Sequence, residues 1–280
     1  MTLSDLHNNS LAPSQVGRRF TLEDDKMLQE ELPIATFTAP LGARDSGFDA
    51  RDRAALLHAL DVQTFHIRLA NSAGRREAAS MLIRKMYDWR GYAVETSVPH
   101  EPNKITLYAE TGGVVVGTMS LCLDSPILLP ADENFGDQLD LLRADGRRLC
   151  EPSRLAIDKG VTKRVFAALI HISYLYARKI HGFSDYVIEV NPRHVMFYQR
   201  MLGFSEYAGE RTCSRVGAPA VLLRLPLDVM GAQIARFGGL MEKHGAERSF
   251  YPYFFPSQDE AGITARLSAG NQQGAHHDRY

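Results

Sequence analysis

The sequence predicts an α/β fold built around a mixed sheet, and three observations carry this prediction. Apolar and polar residues alternate over 64–70, as they do along a strand. Two further strand-like runs, at 104–110 and 114–123, are joined by Thr111-Gly112-Gly113, which is a strong hairpin signal. Apolar residues then recur at steps of three and four over 161–180, which is the spacing of an amphipathic helix.

The other elements complete an alternating order of strands and helices. The predicted order is strand, helix, hairpin, strand, helix, strand, helix and strand, at 64–70, 75–90, 104–123, 149–158, 161–180, 185–190, 193–201 and 220–225. Asn191-Pro192 starts the last helix and Gly203 ends it. Residues 124–148 are interpreted as a loop with one short helix. The longest helix crosses between the strands on either side of it, so the sheet is mixed.

Composition along the chain divides it into three regions: an N-terminal extension at 1–60, one folded domain at 61–230 and a C-terminal extension at 231–280. The N-terminal extension has turn-prone steps and no long periodic pattern. We expect it to be partly disordered, with short helices possible at 22–31 and 51–60. The aromatic run at 250–256 is expected to pack on the domain, and the tail from about residue 268 onward is expected to be disordered.

The bulk composition indicates a protein of the reducing cytoplasm. The 32 basic and 33 acidic residues give a net charge of -1, so nucleic-acid binding is not indicated. Cys122, Cys150 and Cys213 are far apart and form no CxxC pair, which argues against a disulfide framework and against a metal site. The first residues contain no apolar signal segment, and the most apolar stretch, 165–177, is too short to span a bilayer.

The predicted strand at 149–158 carries the first candidate site, Glu151 and Arg154. Pro152 cannot donate to a ladder, so a β-bulge is expected here, and a bulge would turn both side chains toward one cavity. Beside an acyl thioester, the carboxylate could take a proton from an attacking amine. The guanidinium could hold the carboxylate of an amino-acid acceptor. The alternative is a structural salt bridge at the end of a strand.

The second candidate is the basic turn that opens the long helix. It contains Lys159, Gly160, Lys163 and Arg164. Cations oppose the helix dipole at this end, whereas helix amides and basic side chains together attract a phosphate group. The alternative is a solvated charge cluster, with Asp158 or Thr162 as an ordinary cap.

The third candidate is Tyr198, in the short helix after Asn191. Its phenol could protonate a leaving thiolate at the open edge of the sheet. The alternative is an aromatic packing residue between Phe197 and Met201.

Asn191…Phe197-Tyr198…Leu202-Gly203-Phe204 resembles the closing signature of the GNAT acyltransferase superfamily. This resemblance, over residues 64–226, implies a mostly antiparallel sheet whose central strands splay apart around a thioester donor. It also implies that main-chain amides of the 149–158 strand hold the thioester carbonyl. The superfamily's glycine-rich pyrophosphate loop is missing, and only Gly160 stands in that turn. The departure favours acyl carrier protein, with its single phosphate, over coenzyme A as the donor.

Glu151-Pro152-Ser153-Arg154 resembles the Glu-x-Ser-Arg strand of acyl-homoserine lactone synthases. A fuller resemblance is to the long-chain N-acyl amino acid synthases, through Arg68-Leu69-Ala70, Tyr87…Gly91-Tyr92, Glu151 to Ala156 and the aromatic run at 250–255. It implies transfer of a fatty acyl group from acyl carrier protein to an amino-acid amine, with no permanently bound cofactor.

The resemblance also implies roles for individual residues. Glu151 would be the base, Arg154 would orient the strand or the acceptor, and Tyr198 would act as an acid. Donor-binding residues are expected to be Ser153, Leu155, Ala156, Lys159, Gly160, Lys163, Arg164 and Asn191. Two other functions stay open, namely an acyl-homoserine lactone synthase and a non-enzymatic module that binds acyl carriers. The sequence does not predict the oligomeric state.

Overall fold

A computed structural model of the protein describes residues 33–40, 62–71, 73–88, 102–215, 217–241 and 248–277. Within these residues, eight strands form one sheet in the order β1-β2-β3-β4-β5-β6-β8-β7. The strands are β1 (Ala35–Pro40), β2 (Val62–Leu69), β3 (Lys104–Thr111), β4 (Val114–Leu123), β5 (Leu149–Ile157), β6 (Asp185–Val190), β7 (Ser205–Cys213) and β8 (Ala218–Pro226).

Helices lie on both faces of this sheet. The α-helices are α1 (Ala73–Asp88), α2 (Asp132–Ala144), α3 (Lys163–Tyr174), α4 (Val195–Leu202), α5 (Leu227–Phe237) and α6 (Ser257–His277). A π-helix, Leu175–Ile180, continues α3, and 3-10 turns occur at Pro192–His194 and Tyr251–Tyr253. Thr162 begins α3, because its hydroxyl accepts the backbone N–H of Arg164. Gly203 ends α4 in the left-handed conformation, with a φ of 84°.

The sheet is antiparallel except for β5 and β6, which are parallel and are connected by α3. These two strands pair only at Leu149↔Asp185 and Cys150↔Tyr186, and both continue well beyond those pairs. They therefore separate over most of their length. The predicted α/β fold, with a mostly antiparallel sheet and splayed central strands, is confirmed.

The two faces of the sheet have separate cores. On one face, which we call the α3 face, Leu169 of α3 and Met230 of α5 share a large buried cluster with Tyr186 of β6. On the other, the α2 face, Phe135 of α2 packs with Val187 of β6. Because successive residues of a strand point to opposite faces, neighbours such as Tyr186 and Val187 belong to different cores.

The aromatic run at 250–255 packs on the domain as predicted. Phe250, Tyr251, Phe254 and Phe255 are all buried in the core of the α3 face. The Tyr251 hydroxyl also donates a hydrogen bond of 2.6 Å to the carbonyl of Leu202, at the end of α4. This contact fastens the C-terminal segment to the helix that follows β6.

Among the elements that differ from the sequence prediction are β1, β7 and α6. β1 lies inside the expected N-terminal extension, yet it pairs with β2, and Phe37 stacks on Phe65 with ring centroids 5.5 Å apart. β7 was not predicted, because it is a polar, largely exposed edge strand without apolar alternation. α6 extends to His277, although disorder was expected from about residue 268. Its buried Ile263 and Leu267 anchor it in the core.

The domain boundaries at 60 and 230 stay a prediction, although the described sheet already begins at Ala35. The short helices proposed at 22–31 and 51–60 lie outside the described residues.

Candidate active site

A β-bulge interrupts β5 at Arg154. Ser120 of β4 pairs with Ser153, and Thr118 pairs with Ala156, so β5 carries one extra residue over this stretch. The bulge lies at Arg154, whose φ of 50° falls in the left-handed region that residues other than glycine rarely adopt. The expected bulge is therefore present, two residues after Pro152, which itself stays in register with Leu121.

A cavity of about 790 Å³ opens where β5 and β6 separate. It brings together most of the site residues predicted from sequence, from β5, from the residue after β6 and from α4. The predicted residues that line it are Glu151, Ser153, Arg154, Leu155, Ala156, Asn191 and Tyr198. This cavity is therefore the candidate active site.

The cavity passes through the sheet and has two chemically different compartments. The polar compartment, on the α2 face, is lined by Lys104, Glu151, Glu189 and Arg215. The apolar compartment, on the α3 face, is lined by Met119, Phe166, Ile170, Tyr186, Leu225 and Met230. Since β5 and β6 do not pair here, the two compartments are continuous through the gap between the strands.

Glu151 lies in the polar compartment with its carboxyl group almost fully buried, at 4% exposure. The backbone N–H of Ala131, at the start of α2, donates a hydrogen bond of 2.8 Å to its Oε2 atom. The pKa of Glu151 is raised to about 8, mainly by burial and to a smaller extent by the nearby charge of Glu189. The Ala131 hydrogen bond and the charge of Arg215 act against this rise. A carboxyl group with this pKa can gain or lose a proton near neutral pH.

Arg215 and Glu189 form an ion pair beside Glu151 that the sequence did not predict. Arg215, in the turn between β7 and β8, donates through its guanidinium to Glu189 of β6, whose side chain is 5% exposed. Arg215 also donates to the Pro130 carbonyl and to Glu133. No local motif marks these residues, because they come from three separate segments of the chain.

Arg154 and Tyr198 approach the cavity from opposite sides of the gap between the strands. Arg154 lies on the bulge of β5, and Tyr198 lies on α4. The Tyr198 ring meets Phe197 and Phe204 edge to face, at 5.3 and 5.8 Å between ring centroids. Tyr198 is therefore both a packing residue and a residue of the cavity lining.

The basic turn at 159–164 does not line the cavity. Lys159, Gly160 and Lys163 are exposed. Arg164 instead donates to the carbonyl of Thr38, with its guanidinium 5.1 Å from the centre of the Phe37 ring. The side chain of Arg164 thus reaches toward β1, and a role of Arg164 at the donor phosphate or at the carrier surface stays a prediction.

Cationic side chains from other parts of the chain line the cavity, in place of those in this turn. Lys104 of β3 and Arg193, in the 3-10 turn before α4, both belong to the lining. Lys104 pairs with Cys122, and Cys122 pairs with Glu151, so Lys104 stands on the same face of the sheet as Glu151. Strand register could not have been read from the sequence, and it is the only signal that relates Lys104 to Glu151.

Two further findings concern the described part of the chain. Within it, no group of three or more histidine, cysteine, aspartate or glutamate side chains is arranged to hold a metal ion. No helix among these residues is both long and apolar enough to cross a membrane.

Comparisons with known proteins agree with the fold. The model of the N-acyl amino acid synthase FeeM family matches residues 78–226. Among solved structures, the chain is similar to FeeM, an N-acyl amino acid synthase from uncultured soil microbes, with 26% identity and a TM-score of 0.56, over 60% of this chain and 94% of that one. Among proteins with curated annotation, none matches significantly.

The chain is also similar, at a lower level, to two other solved structures. A putative N-acetyltransferase from Lactobacillus plantarum has 17% identity and a TM-score of 0.41, over 58% of this chain and 98% of that one. The AHL synthase LasI has 14% identity and a TM-score of 0.39, over 69% of this chain and 90% of that one. The residues matched by the family model include Glu151 and Arg154, but they include neither Arg68 nor the aromatic run at 250–255.

Proposed function

The chain belongs to the N-acyl amino acid synthase FeeM family and is an N-acyltransferase, and we propose that it transfers a long-chain fatty acyl group from acyl carrier protein to the amine of an amino acid. One observation carries this proposal. The cavity joins a polar compartment, which holds a titratable carboxyl group, to an apolar compartment on the other face of the sheet. An acyl chain fits the apolar side, and an amine fits the side of Glu151.

Glu151 is the proposed base. It takes a proton from the ammonium group of the acceptor, and the free amine then attacks the carbonyl carbon of the thioester. Its pKa of about 8 suits this task, because a base works best when its pKa lies near the operating pH. The neighbouring carboxylates of Glu189 and Glu133 add negative charge to the same region, which favours a cationic ammonium group.

The backbone of β5 is the proposed support for the oxyanion. Beyond Cys150 this strand no longer pairs with β6, so its edge borders the cavity at Ser153, Leu155 and Ala156. Peptide N–H groups directed at the developing oxyanion would stabilise the tetrahedral intermediate. Arg154, next to them on the bulge, is the proposed residue that orients this edge and the acceptor.

Collapse of the intermediate forms the amide. The C–N bond is kept, the C–S bond breaks, and the pantetheine leaves as a thiolate that takes a proton from Tyr198. Of the two protons that the ammonium group loses, one replaces the proton of Tyr198 and the other passes from Glu151 to water. The products are an N-acyl amino acid and a free thiol.

Acyl carrier protein is the proposed donor because the turn after β5 lacks the glycine-rich sequence that binds a pyrophosphate. Arg193 of the cavity lining is the proposed partner of the single phosphate on the pantetheine arm, and Asn191, which also lines the cavity, accepts the backbone N–H of Arg193. Lys159 and Lys163, which are exposed, are proposed to meet the acidic surface of the carrier protein.

The test is expression of the protein in a bacterial host, with mass spectrometry of the lipid extract. We expect N-acyl amino acids from the wild type, and their loss in Glu151→Ala. The matched control is Glu206→Ala, which removes an exposed glutamate of β7 that does not line the cavity. Product at the wild-type level from Glu151→Ala would remove Glu151 from its role. Absence of product from the wild type would favour a module that only binds acyl donors.

Assays with the purified protein distinguish acyl carrier protein from coenzyme A as the donor. We expect turnover with acyl-acyl carrier protein to exceed turnover with the matching acyl-coenzyme A. The opposite order would overturn the assignment of the carrier protein, without affecting the assignment of Glu151.

A further inference from the structure

Four buried side chains close the deep end of the apolar compartment. Ile170, Tyr186, Leu225 and Met230 line the cavity, yet they are only 4%, 1%, 0% and 0% exposed. Phe197, which lines the same cavity, is 41% exposed. The lining therefore runs from solvent into the core, where a chain that enters beside Phe197 would meet these four side chains.

Hydrogen bonds hold Tyr186 and Ile170 in this group. The Tyr186 hydroxyl lies 2.7 Å from the Ser173 oxygen, and the Ser173 hydroxyl donates 2.8 Å to the carbonyl of Ile170. These hydrogen bonds connect Tyr186 of β6 to Ser173 and Ile170 of α3. Leu225 is fixed on β8, where it pairs with Tyr186.

Met230 differs from the other three because it comes from α5. Its side chain is unbranched and flexible, and methionine of this kind fills irregular gaps in cores. The helix itself is held on both sides. The N–H of Leu227 donates 2.8 Å to the carbonyl of Ser184, and a Cβ atom on Gly231 would lie 2.5 Å from the Tyr174 hydroxyl. The depth of the compartment thus depends on the side chain at 230 rather than on helix movement.

We propose that Met230 sets the longest acyl chain that this enzyme accepts. The proposal rests on the proposed function, because it takes the occupant of the apolar compartment to be the donor's acyl chain. Met230 lies beyond residues 78–226, so this determinant stands outside the segment that the family model matches. Each methylene that gains a buried position raises kcat/KM about fourfold, equivalent to about 0.8 kcal/mol.

The test compares Met230→Ala, Met230→Phe and a control. Met230→Ala removes three heavy atoms from the end of the compartment, so we expect the preferred acyl chain to lengthen by about two carbons, with about a fifteenfold rise in the ratio of kcat/KM for the longer chain to that for the shorter. Met230→Phe fills the same space and is expected to shorten the preferred chain. The control is Ile234→Ala, which empties a buried position one turn later on α5 that does not line the cavity.

Two readouts separate this proposal from the proposed function. The first is the length distribution of the acyl products, and the second is thermal stabilisation by S-acyl pantetheines of increasing length, which needs no turnover. An unchanged length preference in both Met230 variants, or an equal change in Ile234→Ala, would overturn the role of Met230. If the wild type makes no N-acyl amino acid but stabilisation still follows chain length and shifts with residue 230, the proposed reaction fails and the role of Met230 stands.

Discussion

The backbone N–H of Ala131 donates a hydrogen bond of 2.8 Å to Oε2 of Glu151, which connects the start of α2 to the centre of β5. This bond is available to a carboxylate and to a protonated carboxyl group alike, so it holds the side chain in place in both states. Burial decides which state prevails, and it raises the pKa of Glu151 to about 8. The first two predictions follow from this combination.

We expect kcat/KM for acyl transfer to rise with pH and to level off above about 8. The base must be ionised to act, so below its pKa each pH unit lowers the rate about tenfold. The measurement is the pH profile with two acceptors, an amino acid and its methyl ester, whose amines differ in pKa. If the rising limb of the profile lies near the same pH for both acceptors, the group that titrates belongs to the enzyme. A limb that moves with the acceptor would contradict the assignment to Glu151.

Glu151→Gln should make the protein more stable at neutral and alkaline pH. Between 4.5, the ordinary pKa, and about 8, the folded protein keeps a proton on Glu151 that the unfolded chain has released. Stability of the wild type is therefore lost as pH rises through this window, by about 1.4 kcal/mol per pH unit from this group. Glutamine does not titrate, so the variant does not lose stability over this window. Urea unfolding of both proteins across the window should give a difference that grows with pH, and a constant difference would refute the prediction.

Arg215→Ala and Glu189→Gln should shift the pH profile in opposite directions. The charge of Arg215 lowers the pKa of Glu151, whereas that of Glu189 raises it. Removing Arg215 should move the limb to higher pH, and neutralising Glu189 should move it to lower pH. The control is Arg211→Ala, which breaks the exposed ion pair with Asp137 and should leave the limb in place. A shift of the same sign in both variants would rule out the electrostatic explanation.

Substitutions of Arg154 should separate the effect of its backbone conformation from the effect of its guanidinium group. At a φ of 50°, glycine is unstrained and alanine is strained, so we expect Arg154→Gly to be more stable than Arg154→Ala by about 1 kcal/mol. Thermal unfolding measures this difference. Both variants lack the guanidinium and should lose activity to the same degree, if the guanidinium orients the acceptor. Recovery of activity in the glycine variant alone would show that only the shape of the bulge matters.

Local patterns in the sequence predicted those parts of the fold that depend on neighbours in the chain. The periodicity at 161–180, the Thr111 to Gly113 hairpin and the Gly203 helix end all correspond to observed elements. A bulge was expected at Pro152, whereas the structure places it at Arg154 and keeps Pro152 in register with Leu121. β7 was not, since an exposed edge strand needs no apolar alternation.

The candidate site was predictable only where its residues share one segment. Glu151, Ser153 and Arg154 lie together on β5, and their place at the cavity follows from strand geometry. Arg215 and Lys104 reach the same cavity from distant segments, so only the assembled sheet brings them together. The charge of Arg164 alone is compatible with a phosphate site. Its contact with Phe37 depends on β1, which was not predicted from the sequence.

The continuity of the cavity through the sheet also bears on the order of events in the proposed reaction. In the proposed reaction the donor's chain and the acceptor bind on opposite faces of the sheet, so neither has to leave before the other binds. Cys213 also lines the cavity, but burial raises the pKa of its thiol, which makes it a poor nucleophile for storing the acyl group. The proposed reaction is therefore a direct transfer within a ternary complex, with both substrates held at once where β5 and β6 meet through only two residue pairs.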